Sequence, residues 1–209
     1  LFSVPIFFFT SWQESLKREY ELREQNLLFQ NQTLKNQVNP HFLFNSLNTL
    51  SALVETQAEV AGLFISRLSS IYRYILENAP RDKVPLKEEL AFLGDYFFLH
   101  QVRDDRKIQL SVAVEHPEDF EILPVSLQIL LENAVKHNMA TRDQPLRIRV
   151  FTEGAYIVVC NNIQRMATQL PSTRTGLANL RERVRLATGK PLIVEETEQQ
   201  FIVKIPLIS

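Results

Sequence analysis

The segment 37–51, QVNPHFLFNSLNTLS, holds one histidine, His41, just inside a helix start. Asn39 suits an N-cap, and Pro40 suits the first helical position, where its missing N–H costs nothing. At 100° per residue Leu43, Leu47, Leu50 and Val54 share one face, and His41, Asn45, Asn48 and Ala52 lie opposite. The spacing therefore predicts an imidazole on the polar side of a core-forming helix. A histidine so placed is more often a solvated surface residue than a reactive one, and a second motif changes that weighting.

The second motif is LQILLENAVKHN, residues 127–138. On a helix, Glu132, Asn133, Lys136 and His137 occupy one arc, and Leu127, Leu130, Leu131 and Ala134 the far side. The apolar side seats the helix on a sheet. On the polar side, the amide of Asn133 can offer a neutral carbonyl oxygen to Mg²⁺. Lys136, one turn on, can approach phosphate oxygens as a point charge. The competing reading is a solvated face with a Glu132–Lys136 pair worth about 0.2–0.5 kcal/mol.

Together and in this order, the two motifs resemble the LytS-type sensor histidine kinases, whose catalytic half is a GHKL, or Bergerat-fold, ATP-binding domain. The resemblance runs from about Gln32 to the C-terminus. It takes in QVNPHFLFNSLNTLSALVE, LSSIYRYIL, VPLKEELAFLGDYFFLHQVR, LPVSLQILLENAVKHN and TGLANLRERVRLATG. It implies autophosphorylation of His41 by Mg²⁺-ATP, with Asn133 as the Mg²⁺ ligand, followed by transfer to an aspartate on a response regulator, suspected to be of the LytTR type. Glu132, or Asn45 through a water, would orient the imidazole or support phosphatase chemistry. Lys136, His137, Asn161, Gly176, Leu177, Asn179 and Arg183 would contact the nucleotide.

The chain departs from the family pattern at the third nucleotide element. Asn161 stands where an acid receives the adenine amino group, and Ile163 and Arg174 stand where glycines are expected. An amide oxygen can still accept from an amino group, without charge assistance. Gly176 can open a helix whose free N–H groups attract phosphate. The stretch from Asn162 to Thr175 would be a lid, with Arg165 and Arg174 its basic residues. Two alternatives stay open: a degenerate, non-catalytic signalling dimer that binds nucleotide weakly or not at all, and a GHKL ATPase without a phosphohistidine.

The elements that must position these residues follow from pattern. The sequence is 209 residues long and 45% hydrophobic, enough for one good core and a smaller helical module. Net charge of −1 gives no electrostatic footprint for nucleic acid. The single cysteine, Cys160, rules out an internal disulfide and fits a reducing compartment; in YIVVC it reads as a small core residue.

Residues 1–11, LFSVPIFFFTS, read as the end of a truncated transmembrane helix at a bacterial inner (cytoplasmic) membrane, which would put residues 12–209 on the cytoplasmic side. Residues 12–39 read as a signalling helix with a thin seam of Tyr20, Leu27 and Leu34. Residues 40–80 form a helical hairpin too short to bury both faces, which favours a four-helix bundle in a homodimer and matches the family's phosphoacceptor module. Val60, Leu63, Phe64, Leu68, Ile71 and Ile75 make the second helix's apolar face. Residues 81–209 mix helices near 87–103, 124–139 and 177–187 with strands near 108–114, 146–151, 156–160, 192–195 and 201–207. The expected class is α+β: the hairpin, then a Bergerat-fold sandwich with helices on one face of a mixed sheet.

Overall fold

The computed structural model describes residues 40–78, 80–103, 107–164 and 175–208, with the side chains of Pro40, His41 and Thr175 outside that description. The expected membrane end, the signalling helix and residues 165–174 of the expected lid, with Arg165 and Arg174, lie outside the described residues. The chain falls into two units, residues 1–45 and 46–209. Of the first, only the opening turns of a helix are described.

Helix α1 (Pro40–Thr56) and helix α2 (Ala58–Asn78) are separated by Gln57 alone. The Gln57 N–H donates to Leu53 O at 2.7 Å, and its carbonyl accepts from Ala61 N at 3.0 Å. In α2 the residues Phe64, Leu68, Ile71 and Ile75 are buried, as the period requires. Leu63, expected with them, is 45% exposed, because Ala61 takes the inward place one turn before Phe64 and two before Leu68. In α1, Leu47 and Val54 stay open to solvent while Ser46 and Leu53 are buried.

Helix α3 (Leu86–Arg103) carries Glu88 and Glu89 in its first turn and His100 and Arg103 in its last, both favoured by the helix dipole. It packs along α2, where Tyr74 stacks on Phe92 with ring centroids 4.3 Å apart and Arg67 pairs with Asp95. The buried stripe of α3 is Leu86, Glu89, Phe92, Leu93, Tyr96, Leu99 and His100, and it includes a carboxylate.

The sheet has the order β2-β4-β5-β7-β6, formed by Ile108–Ala113, Leu146–Glu153, Tyr156–Asn162, Gln200–Pro206 and Ile193–Glu196. Only β2 and β4 run parallel, so the sheet is mixed, as expected. A short antiparallel pair, β1 (Val84–Pro85) with β3 (Glu121–Ile122), braces the entry to α3. Helix α4 (Ser126–His137) packs on β4 and β5, and helix α5 (Thr175–Thr188) on β7 and on α4. Strand β4 alternates, with Leu146, Ile148 and Val150 buried and Arg147 and Arg149 exposed, so the helices lie on its apolar face. The pairing puts Ile157, Val159, Asn161, Val203 and Ile205 on that same face. Cys160 is buried on the other, where its Sγ donates to Gln200 Oε1 at 3.5 Å.

No described helix is long and apolar enough to cross a membrane.

Candidate functional site

The site is built on α4, because that helix carries the polar arc of Glu132, Asn133, Lys136 and His137. Leu127, Leu130, Leu131 and Ala134 are all buried, as expected. That anchoring fixes which way the remaining positions face. Asn133 is half-buried and its side chain makes no hydrogen bond among the described residues. Lys136 is exposed and forms no ion pair among them. The amide oxygen and the ammonium are thus both available to a ligand. His137 is exposed beside Lys136.

Glu132 does not pair with Lys136. Its Oε1 accepts from the Tyr96 hydroxyl and from Gln128 Nε2, the latter at 3.1 Å, so the carboxylate is turned toward α3. Burial, reinforced by the Glu132 charge, pushes the Tyr96 phenol well above its ordinary pKa and keeps it a donor.

Both ends of α4 are fixed by side chains. At its start, Val125 has left-handed backbone, φ 67°, and offers no cap of its own. For a β-branched residue that conformation costs on the order of 1–3 kcal/mol. Glu89 of α3 offsets it: Oε2 accepts Val125 N–H and Oε1 accepts Leu127 N–H, each at 3.0 Å. At the helix end, Asn138 Nδ2 caps Ala134 O at 2.8 Å. Its Oδ1 accepts Gln164 N–H at 2.7 Å, and Met139 N–H donates to Gln164 O at 2.8 Å. These bonds draw the residues just past β5 onto the end of α4, so that Asn161 and the Asn133 helix border the same side of the sheet.

Asn161 is buried, and its Nδ2 donates to Asn162 O at 2.8 Å, which leaves Oδ1 as the acceptor. Asn162 locks the strand end, taking Arg147 N–H at 2.7 Å and donating to Pro145 O at 3.2 Å. Gly176 opens α5 beside α4: a Cβ placed on it would lie 3.8 Å from Ile129 Cγ2. Leu177 is half-buried and Asn179 exposed. Arg183 donates to Pro124 O at 3.3 Å, next to the strained Val125. Burial pushes its guanidinium pKa down and the Glu89 charge holds it up.

Asn133, Lys136, Asn161 and Gly176 are therefore brought to two adjoining elements and one strand end, all in the second unit. Asn45 is half-buried in the first unit, and the His41 side chain lies outside the described residues. Sequence reasoning missed Glu89, Tyr96, Asn138 and Gln164. No local signal separates Glu89 from its exposed neighbour Glu88.

Comparison with known proteins agrees with this layout. A family model described as histidine kinase matches residues 29–108. The sensor protein LytS of Streptococcus agalactiae serotype V is 31% identical over 172 residues, covering 75% of this chain and 30% of that protein. LytS of Bacillus subtilis strain 168 is 37% identical over 118 residues, covering 56% and 20% respectively. The sensor histidine kinase YpdA of Escherichia coli K12 is 28% identical over 203 residues, covering 90% and 36%. The chain thus spans between a fifth and about a third of the length of these curated relatives. In the order of its Asn45 helix, its Asn133 helix and its mixed sheet, and over three quarters of its length, this chain is similar to the LytS-type sensor histidine kinases.

Proposed function

We propose that the chain is the signalling end of a membrane-associated two-component kinase that transfers phosphate from ATP to its own His41 and then to a response regulator aspartate. In this reading residues 1–11 end a membrane span, 12–39 relay the signal, 40–80 dimerise and carry the phosphoacceptor, and 81–209 bind ATP on the cytoplasmic side. The observation that carries it is the clip between Asn138 and Gln164, which supports a single nucleotide site made from the α4 arc and the end of β5. The unengaged amide of Asn133 and ammonium of Lys136 fit Mg²⁺ and phosphate respectively.

Asn161 accepts from the adenine amino group, and the α5 N-terminus, with Gly176, Leu177 and Asn179, lines the phosphate end. Arg183 acts there by holding the start of α4. His137 stands beside Lys136 at the phosphates. Neutral His41 imidazole attacks the γ-phosphorus, the bond to ADP breaks, and a phosphohistidine forms. Mg²⁺ supplies charge compensation on the phosphates. Glu132 or Asn45 serves as the group that orients the imidazole or a hydrolytic water; the bond from Tyr96 fixes where the Glu132 carboxyl points. A LytTR-type regulator is the proposed acceptor.

A degenerate signalling dimer is the second reading, and Asn161 favours it, since its buried amide replaces a charged acceptor. The test is acid-labile, base-stable label on the protein after incubation with γ-labelled Mg-ATP. Label lost in His41→Gln with nucleotide affinity unchanged supports the kinase; label persisting in that variant moves the acceptor to His137 or His100. No label on the unaltered chain favours the degenerate dimer. If transfer runs in trans within a dimer, mixing His41→Gln with Asn133→Ala restores label on the Asn133→Ala chain alone.

A further inference from the structure

Glu89 is fully buried on α3 yet forms no direct ion pair among the described residues. Its carboxylate is satisfied by three donors from two other helices. The Tyr74 hydroxyl of α2 reaches Oε2 at 2.5 Å, and the Val125 and Leu127 N–H groups at the start of α4 each lie 3.0 Å away. The nearest compensating charge is Arg183 of α5, which itself holds Pro124 O. One side chain therefore joins the helix that precedes the nucleotide domain to the first turn of the helix that carries Asn133.

The arrangement has two properties that plain packing lacks. A buried carboxylate has no water to replace a donor it loses, so withdrawing Tyr74 changes its hold on the α4 amides. At the α4 start Val125 is left-handed and uncapped by its own side chain, and Glu89 is the side chain that holds the Val125 and Leu127 amides. Helix slides in signalling proteins are about 1–2 Å, enough to take a bond of 2.5 Å out of reach.

We propose that Glu89 is a positioning residue that ties the setting of α4, and so the presentation of Asn133, to the placement of α2 through the Tyr74 hydroxyl. The link to Asn133 rests on the functional reading above; the link between α2 and α4 does not.

The test is amide hydrogen exchange on the whole chain. Tyr74→Phe keeps the ring that stacks on Phe92 and removes only the hydroxyl. It should speed exchange in the first turn of α4, around Leu127, by about tenfold, with β4 and β5 unchanged. Unchanged exchange there overturns the proposal, as does an equal acceleration throughout the second unit, which would signify general destabilisation. In a Glu89→Gln background, Tyr74→Phe should have no further effect; retention of its full effect would show that the coupling bypasses Glu89. Should Glu89→Gln not fold, the single-hydroxyl variant decides alone. In Tyr74→Phe the Mg²⁺-dependent part of ADP affinity should fall about threefold to tenfold, with Asn133→Ala as reference. An unchanged Mg²⁺ dependence would sever the link to Asn133. Absence of any nucleotide binding by the unaltered chain would instead sink the functional reading and leave the exchange arms to decide the coupling.

Discussion

The side-chain oxygen of Asn138 accepts the backbone N–H of Gln164 at 2.7 Å, joining the last turn of α4 to the chain just past β5. Because Asn138 Nδ2 also caps Ala134 O, one amide both ends the helix and fixes its neighbour. Asn138→Ala should lower stability by about 1–3 kcal/mol, since it leaves one buried and one half-buried backbone group without their partner. It should also weaken nucleotide binding, as the Asn161 end of β5 would lose its register with α4. Urea unfolding and ADP titration check the two effects; a stability change below about 0.5 kcal/mol would show that water replaces both bonds.

Asn161→Asp should act in opposite directions on binding and on stability. A carboxylate at this position makes a charge-assisted bond to an adenine amino group, tightening ATP by about tenfold. The same change removes the donor that reaches Asn162 O and buries a charge, so the nucleotide-free protein should unfold at lower urea. Tightening without destabilisation would mean that the Asn162 bond contributes nothing, and weaker binding that Asn161 does not face adenine.

The contrast between these two asparagines shows what the sequence could reveal. Leu127, Leu130, Leu131 and Ala134 are buried as their period requires, and the strands at 146–153 and 156–162 stand where apolar alternation and runs placed them. The polar arc of α4 was legible for the same reason. Glu89 was not, because in sequence it looks like its exposed neighbour Glu88, a first-turn acid favoured by the helix dipole. Only the approach of the α4 start turns one of them inward. Asn138 and Gln164 meet across the whole of β4 and β5, a pairing that no local pattern encodes. The pair β1 and β3 is too short for alternation to register.

Burial is the largest influence on Glu89 and raises its carboxyl above the ordinary 4.5, outweighing its bonds from Tyr74, Leu127 and Val125 and the charge of Arg183. A folded pKa above the unfolded one means the native state binds this proton more tightly. The resulting stability is fully present below the unfolded value and is lost as pH rises through the folded one. The stability advantage of the unaltered protein over Glu89→Gln should therefore shrink as pH rises above the ordinary carboxyl value of 4.5. Urea midpoints of both proteins across that range check it, and an advantage that grows with pH would reverse the sign assigned to Glu89.

Leu47 and Val54 lie on one face of α1 and are 44% and 59% exposed. In the proposed homodimer through residues 40–80 a second copy would cover that face, and each side chain fully buried would contribute about 1.5–3 kcal/mol. Leu47→Asp with Val54→Asp should convert dimer to monomer in sedimentation while the sheet keeps its unfolding midpoint. A dimer that persists would place the interface elsewhere.

The parallel pairing of β2 with β4, the one such pairing among the described residues, has a consequence for how the chain reaches its native state. Strands β4 and β5 are joined through Gly154 and Ala155 alone, with Gly154 at φ 59°, so this ladder closes with almost no loss of chain freedom. Strand β2 reaches β4 only after residues 114–145 have been gathered, and those residues contain α4. The Asn133 helix is thus enclosed within the loop whose closure completes the sheet. Its assembly belongs to the late, topologically costly part of folding, and a folding chain presents the finished β4–β5 ribbon before it presents the Asn133 face.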